Sequence, residues 1–251
     1  MENPQDSGAQ YRVFGEVSTE PLSKLKRLIA NNMINSWTHI PHVTHHDEVD
    51  VSAIEDLRKK LNDAHTTDSS AATENLVHFI LLPFILKATI EALKAFPEFN
   101  ASLSDDGEAL IFKHYYNLGI AVDTPNGLMV PIIKNVDSLT LEELAVASKN
   151  LAERTRTGKL TLADTEGGTF TVTSLGPTGG TGFTPIIKMP EVAILGVSRE
   201  ITKVVVQDGK IVIHPMLPLS LSYDHRVIDG AMATRFMTHL KLNLSQANIF
   251  S

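Results

Sequence analysis

The 251-residue chain contains no cysteine. That excludes disulfide staples, thiolate zinc sites, iron–sulfur clusters and a cysteine nucleophile. Positive charge is also short: 22 Lys and Arg against 29 Asp and Glu leave a formal charge of -7. A general grip on a phosphate backbone is therefore excluded, although a local basic patch can still hold a small phosphate ligand. Long apolar runs are missing as well. The longest, Leu76–Leu93, is interrupted by His78, Pro83, Lys87 and Glu91, short of the roughly 20 residues of a membrane span, and it reads as a buried helix. Residues Met1 to Gly8 lack the basic and apolar regions of a signal peptide. A reducing compartment is expected: the cytoplasm, or an organelle matrix if the chain is a mature eukaryotic fragment.

The apolar spacing organises the remainder. Leu22, Leu25, Leu28, Ile29 and Met33 recur at helical intervals over residues 22–37, and Pro41 closes that segment. His42–Val51 alternates as a strand does. Ser52 and Glu55 form a capping-box signature for a helix carrying Ile54, Leu57 and Leu61, and Ala64–Thr73 reads as a loop. A long apolar helix then runs to about Phe96, with Pro83 expected to end its first turn or kink it. Ile111–Val122 and Leu128–Val136 read as strands about an Asp-Thr-Pro-Asn-Gly turn. Thr140 and Glu143 cap a helix to about Thr157. Strands follow at Thr169–Ser174 and Glu191–Ser198, then a hairpin about Gln207–Lys210, a strand at Leu217–Tyr223 and a last helix at Gly230–Leu244. Helices alternating with hairpin-linked strands imply an α/β fold with a mixed sheet packed with helices. One domain is expected over residues 14–251, after a disordered linker at residues 1–13.

Ten histidines make imidazole the first place to look for acid–base chemistry. His42, His45 and His46 invite a metal, but strand parity turns His45 away from the other two, so no metal site is expected. The Gly-rich loop from Gly176 to Gly182 lacks a P-loop pattern, and no G-x-S-x-G elbow occurs. The informative segment is Ser222-Tyr-Asp-His-Arg-Val-Ile-Asp-Gly-Ala231, between an apolar strand and a helix. His225 lies there with Asp224, Arg226 and Asp229 close by. Residue chemistry alone leaves two readings open, a tuned base or a polar turn with a satisfied histidine.

The segment Asp224-His-Arg-Val-Ile-Asp-Gly230 resembles the signature of the dihydrolipoamide acyltransferases, core components of the 2-oxo acid dehydrogenase complexes. Further blocks resemble that family in its order: Ile40–His45, Ala121–Gly127 with Val130-Pro131, Gly168–Val172, and Pro190–Ser198. Together they span roughly residues 14–244, and the Pro190–Ser198 block is most similar to the pyruvate-complex acetyltransferases. The resemblance implies a chloramphenicol-acetyltransferase-like, trimer-forming fold and acetyl transfer between dihydrolipoamide and coenzyme A. Succinyl or branched-chain acyl transfer, or a catalytically silent scaffold, are the alternatives.

By the same resemblance His225 is the general base, and Asp229 supports the site from a position facing either Arg226 or Arg27. The oxyanion donor falls on Thr173, 52 residues before the histidine (225 − 173). Strand parity favours Thr173 over Ser174, because Phe170 and Val172 claim the opposite, buried face. No tightly bound cofactor is implied. Coenzyme A and a lipoyl group are substrates, although a lipoyl domain is not in this sequence. Lys24, Lys26, Arg27 and Lys188 are candidate contacts for the coenzyme A phosphates. The family usually has Asn where this chain has Lys188. Implied partners are two further copies of the chain, trimers joined into a larger core, and the other subunits of the complex. Ile249 and Phe250 near the end either fold back on their own domain or form a joint to a neighbouring trimer.

Overall fold

Pro41 divides the first α-helix from the first strand. The computed structural model describes residues 9–67, 77–125, 127–176 and 178–250; residues 1–8 of the expected linker and residues 68–73 of the expected loop lie outside them. Helix α1 (Lys24–His39) starts where the Ser23 hydroxyl accepts the Lys26 amide and stops at the extended Ile40, as the residue before a proline requires. Strand β1 (His42–Asp50) follows. Helix α2 (Ser52–Thr67) departs from expectation at both ends. The Ser52–Glu55 capping box does not form. The Asp50 carboxylate takes the Ser52 amide and hydroxyl at 2.8 and 2.6 Å, while Glu55 pairs with Arg58. The helix also runs four residues into the expected loop.

Helix α3 (Leu81–Ala95) begins later than its hydropathy suggested. The Asn62 side chain holds Phe79 extended by accepting its amide and donating to its carbonyl, at 2.8 and 3.0 Å. Pro83 thus falls in the first turn, where an amide has no intrahelical carbonyl to meet. The long strand expected over Ile111–Val122 is broken. Strands β2 (Ala101–Leu103) and β3 (Leu110–Phe112) pair as a separate hairpin, and β4 (Leu118–Ile120) joins the main sheet. The Asn100 amide causes the break, donating to the carbonyls of Lys113 and Tyr115 between them. Only Ile132–Ile133 (β5) of the expected Leu128–Val136 strand is regular. Helix α4 (Leu141–Arg156) has its capping box at Thr140 and Glu143 in full.

The main sheet is completed by β6 (Phe170–Ser174), β7 (Ala193–Val197), β8 (Ile201–Gln207) and β9 (Lys210–Asp224). Its order is β1-β9-β7-β6-β4-β5, with β8 also on β9. The β4, β6 and β7 strands run parallel and the other pairs antiparallel. Two expected strands, Ile211–Ile213 and Leu217–Tyr223, are one 15-residue strand. It survives Pro215 and Pro218, whose carbonyls accept the amides of Val51 and Ser198. Asp208 and Gly209 both adopt positive φ in the β8–β9 turn, as a two-residue hairpin demands.

Helix α5 (Gly230–Ser245) and α3 pack on one sheet face around Phe84, Phe99, Phe170 and Phe236, all fully buried. The other face is hydroxyl-rich: Thr44 bonds Ser222 at 2.8 Å and His46 bonds Ser220 at 2.9 Å. The chain after β6 folds over it, laying the Phe183 ring where a Cβ on Gly196 would come within 2.8 Å. Ile249 and Phe250 lean on the chain's own core, Phe250 edge-on to Phe84 at 5.2 Å.

Candidate active site

The turn from β9 into α5 is pinned at both ends. Asp224, 2% exposed, closes the strand. Its carboxylate receives the Arg226 guanidinium at 2.6 and 3.0 Å and the Arg226 amide at 3.0 Å, and its carbonyl accepts the amides of Val227 and Ile228. That ion pair raises the Arg226 pKa further above its ordinary value. At the far end Ile228 is fully buried, and Asp229 caps α5 by accepting the Met232 amide at 2.7 Å. Between these anchors His225 is presented to solvent. Its amide is bound to the Pro41 carbonyl, and its imidazole rests near the Tyr223 ring at 5.9 Å with no side-chain hydrogen bond among the described residues. Burial and the nearby Asp229 charge push the Tyr223 phenol up. Of the two cations weighed for Asp229, Arg226 is committed to Asp224, and Arg27 stands on exposed α1.

Thr173 sits on the hydroxyl-rich face, as parity required, with Phe170 and Val172 in the core behind it. Ser174 is exposed and its hydroxyl accepts the Gly176 amide. The Thr173 hydroxyl has no partner among the described residues. Register places Thr173 opposite Gly196, and Gly196 opposite Ser220, so His225 is two strands across and five residues further along. At about 3.3 Å per residue and 4.8 Å per strand this is a separation of about 19 Å. One chain therefore does not bring the imidazole and the hydroxyl to a common carbonyl. Two recesses open on this side of the sheet, neither lined by His225 or Thr173. One of about 290 Å³ is bordered by His39, Met189 and Arg226, the other of about 430 Å³ by His46, Gly182 and Phe183.

The basic candidates are dispersed. Lys24, Lys26 and Arg27 project from the first turns of α1. Lys188 is half-buried, its ammonium directed at the Thr165 carbonyl and facing Glu191. His42 is a structural link, with Nδ1 donating to the Ile40 carbonyl and Nε2 accepting the Ile187 amide. A serine, a histidine and an aspartate do meet at Ser52, His214 and Asp50, but both oxygens reach the same ring nitrogen, Nδ1. Such a histidine cannot pass a proton from one to the other. The group that sequence reasoning missed is Glu191, 3% exposed and pushed up to about 7 by burial. A charged residue at the head of an apolar strand gave no sign of it.

Comparison with known proteins shows the family. The family model of the 2-oxoacid dehydrogenases acyltransferase (catalytic domain) matches residues 14–250. The dihydrolipoyllysine-residue acetyltransferase component of the pyruvate dehydrogenase complex of Cupriavidus necator is 46% identical over 226 residues, covering 90% of this chain and 39% of its own. The chain thus spans about two fifths of that relative's length. The dihydrolipoamide acetyltransferase of Azotobacter vinelandii superimposes with a TM-score of 0.89 at 42% identity, over 96% of each chain. In that enzyme a serine, a histidine and an asparagine were investigated for their role in the catalytic mechanism, with the serine 52 residues before the histidine and the asparagine 4 after it. The cubic core of a pyruvate dehydrogenase multienzyme complex gives 0.89 at 43%, over 96% of each chain. A chloramphenicol acetyltransferase shares the fold, at 0.52 and 14%, over 89% of this chain and 99% of its own.

Proposed function

Because the chain belongs to the 2-oxoacid dehydrogenase acyltransferase family, as its catalytic domain, we propose that it moves an acetyl group between dihydrolipoamide and coenzyme A in the core of a pyruvate dehydrogenase complex. The observation that carries this reading is the pair of unengaged groups, the His225 imidazole on its pinned turn and the Thr173 hydroxyl. They stand at the spacing of the serine and histidine investigated in the Azotobacter enzyme. Neither group is spent on the chain's own structure.

The chemistry follows from these two groups. A thiol is mostly protonated at pH 7, so the imidazole takes its proton as the sulfur attacks the thioester carbonyl. The carbonyl oxygen becomes an oxyanion and receives the Thr173 hydroxyl, a contact worth roughly 3–4 kcal/mol in such sites. Collapse of the tetrahedral intermediate expels the second thiolate, which recovers the proton from the imidazolium. Asp229 fixes the end of the turn and supplies a negative charge near it. Coenzyme A and the lipoyl group are substrates, and nothing in the reaction calls for a tightly bound cofactor.

The 19 Å gap is closed by assembly. In a trimer, His225 of one copy faces the hydroxyl of the next, and trimers joined into a larger particle carry the other subunits of the complex. Lys24, Lys26 and Arg27 remain the candidates for the coenzyme A phosphates; Lys188 is held inward by Thr165 and Glu191. No helix among the described residues is long and apolar enough to cross a membrane. The test is an assay of the assembled protein with free dihydrolipoamide and acetyl-CoA, with His225→Ala as control. Acetyl transfer that falls by about a hundredfold or more in the variant supports the reading. A well-folded, assembled wild type without transfer would leave a scaffold; preference for succinyl or branched-chain acyl-CoA would move the specificity within the family.

A further inference from the structure

Glu191 lies deep in the protein for reasons the acetyl-transfer site does not explain. Its Oε2 accepts the Thr171 hydroxyl at 2.6 Å, while Oε1 is buried without a partner among the described residues. Two glycines make the space. A Cβ on Gly119 would come within 2.7 Å of the Thr171 hydroxyl oxygen, and one on Gly168 within 3.0 Å of Glu191 Oε1. The charges facing the carboxyl are Lys188 from the preceding segment and Lys113 from the segment after β3; the Lys113 ammonium is itself buried and unpartnered. Burial pulls Lys113 down, and both lysines oppose the upward push that burial gives Glu191. Lys188, where the family usually has Asn, thus has a local purpose as a counter-charge.

The strand that Glu191 grips is the one that carries the oxyanion donor. Thr171 and Thr173 are on the same face of β6, two residues apart. Regular pairing with β4 ends at Ile120 opposite Val172, whose carbonyl still accepts the Ala121 amide, and Thr173 itself pairs with Gly196 of β7. The last side-chain anchor before Thr173 on that face is the Thr171–Glu191 bond. We propose that Glu191 is a positioning residue for acyl transfer, holding β6 through Thr171 so that the Thr173 hydroxyl is presented at a fixed height. This rests on the acetyl-transfer reading above. An oxyanion donor displaced by a fraction of an ångström loses much of its effect on the transition state while leaving substrate binding alone.

The experiment is a pair of double-mutant cycles on the assembled protein, with kcat and KM for acetyl-CoA as readouts and near-ultraviolet circular dichroism as the check on folding. Glu191→Ala lowers kcat by about tenfold with KM changed less than about twofold. Glu191→Gln, which keeps an acceptor oxygen for Thr171, recovers most of that loss. Thr171→Val costs as much as Glu191→Ala, and the two together cost no more than either. In a Thr173→Ala background, Glu191→Ala costs less than about twofold, because the hydroxyl it positions is gone. Should Glu191→Ala fail to fold, Thr171→Val carries the same cycle with Thr173→Ala. Losses that multiply in full on top of a damaging Thr173→Ala, or full activity in both Glu191→Ala and Thr171→Val, overturn the positioning role alone. A wild type without transfer, or a fully active Thr173→Ala, overturns the acetyl-transfer reading and this one with it.

Discussion

Mixing two dead variants tests the division of the site between copies. His225→Ala removes the proposed base from one half of the site, and Thr173→Ala removes the proposed oxyanion donor from the other. Each alone is expected to retain about 1% of wild-type kcat or less. The register separates the two groups by about 19 Å within a chain, so the proposed site takes its imidazole from one copy and its hydroxyl from the next in a cyclic assembly. Co-expressed at equal levels, the variants assort at random around the ring. A site is intact when the histidine donor is a Thr173→Ala chain and the hydroxyl donor a His225→Ala chain. That happens with a probability of one half squared, so about a quarter of wild-type activity returns. The recovery should follow the product of the two fractions, peaking at equal proportions. Native mass spectrometry confirms that mixed particles formed, and initial rates with acetyl-CoA and dihydrolipoamide give the answer. Mixed particles whose activity stays at the sum of the two variants would refute the shared site.

Four further outcomes follow from the structure. Thr173→Ser should keep most activity and Thr173→Ala should lose about a hundredfold in kcat with little change in KM, whereas damage from Ser174→Ala and a mild Thr173→Ala would reverse the parity argument. Glu191, pushed up to about 7 against an ordinary value of 4.5, binds its proton more tightly in the folded chain. The resulting stabilisation is complete below about pH 4.5 and is lost as pH rises through 7, by about 3 kcal/mol in all; urea unfolding from pH 5 to 8 should show this slope in the wild type and not in Glu191→Gln. Neutralising Lys24, Lys26 and Arg27 together should raise the KM for acetyl-CoA and flatten its salt dependence; an unchanged KM removes them as phosphate contacts. Because Phe250 packs on Phe84 of its own chain, deleting residues 249–251 should lower stability by about 1–3 kcal/mol at unchanged particle mass; light scattering that shows smaller particles would make the tail a joint.

What the sequence disclosed and what it withheld follow one physical division. Local rules carried the Thr140 capping box, the Asp208–Gly209 turn and the parity of β6, because each depends on neighbours a few residues away. The same rule misread Ser52, since a carboxylate two residues earlier outcompeted Glu55 for its amide and hydroxyl. Breaks made by distant side chains were invisible: Asn62 holding Phe79 delayed α3, and Asn100 split the strand expected over Ile111–Val122. His225 and Asp229 were legible through a resemblance and through their place between strand and helix. Glu191 was not, because burial of one acid is a property of the packed sheet and its two glycines, 72 and 23 residues away in sequence (191 − 119 and 191 − 168).

The capping bond of Asp229 separates two properties that are usually tied together, the placement of a group and its charge. Asp and Asn serve an N-cap almost equally well, since either offers an oxygen to the Met232 amide. Asp229→Asn therefore removes one negative charge beside the Tyr223–His225 turn for no more than a few tenths of a kcal/mol of helix stability. The Azotobacter enzyme has an asparagine 4 residues after its histidine, the spacing at which this chain has Asp229. The position therefore carries two separable tasks, the cap on α5 and a charge at the end of the turn that bears His225, and the second can be exchanged without disturbing the first.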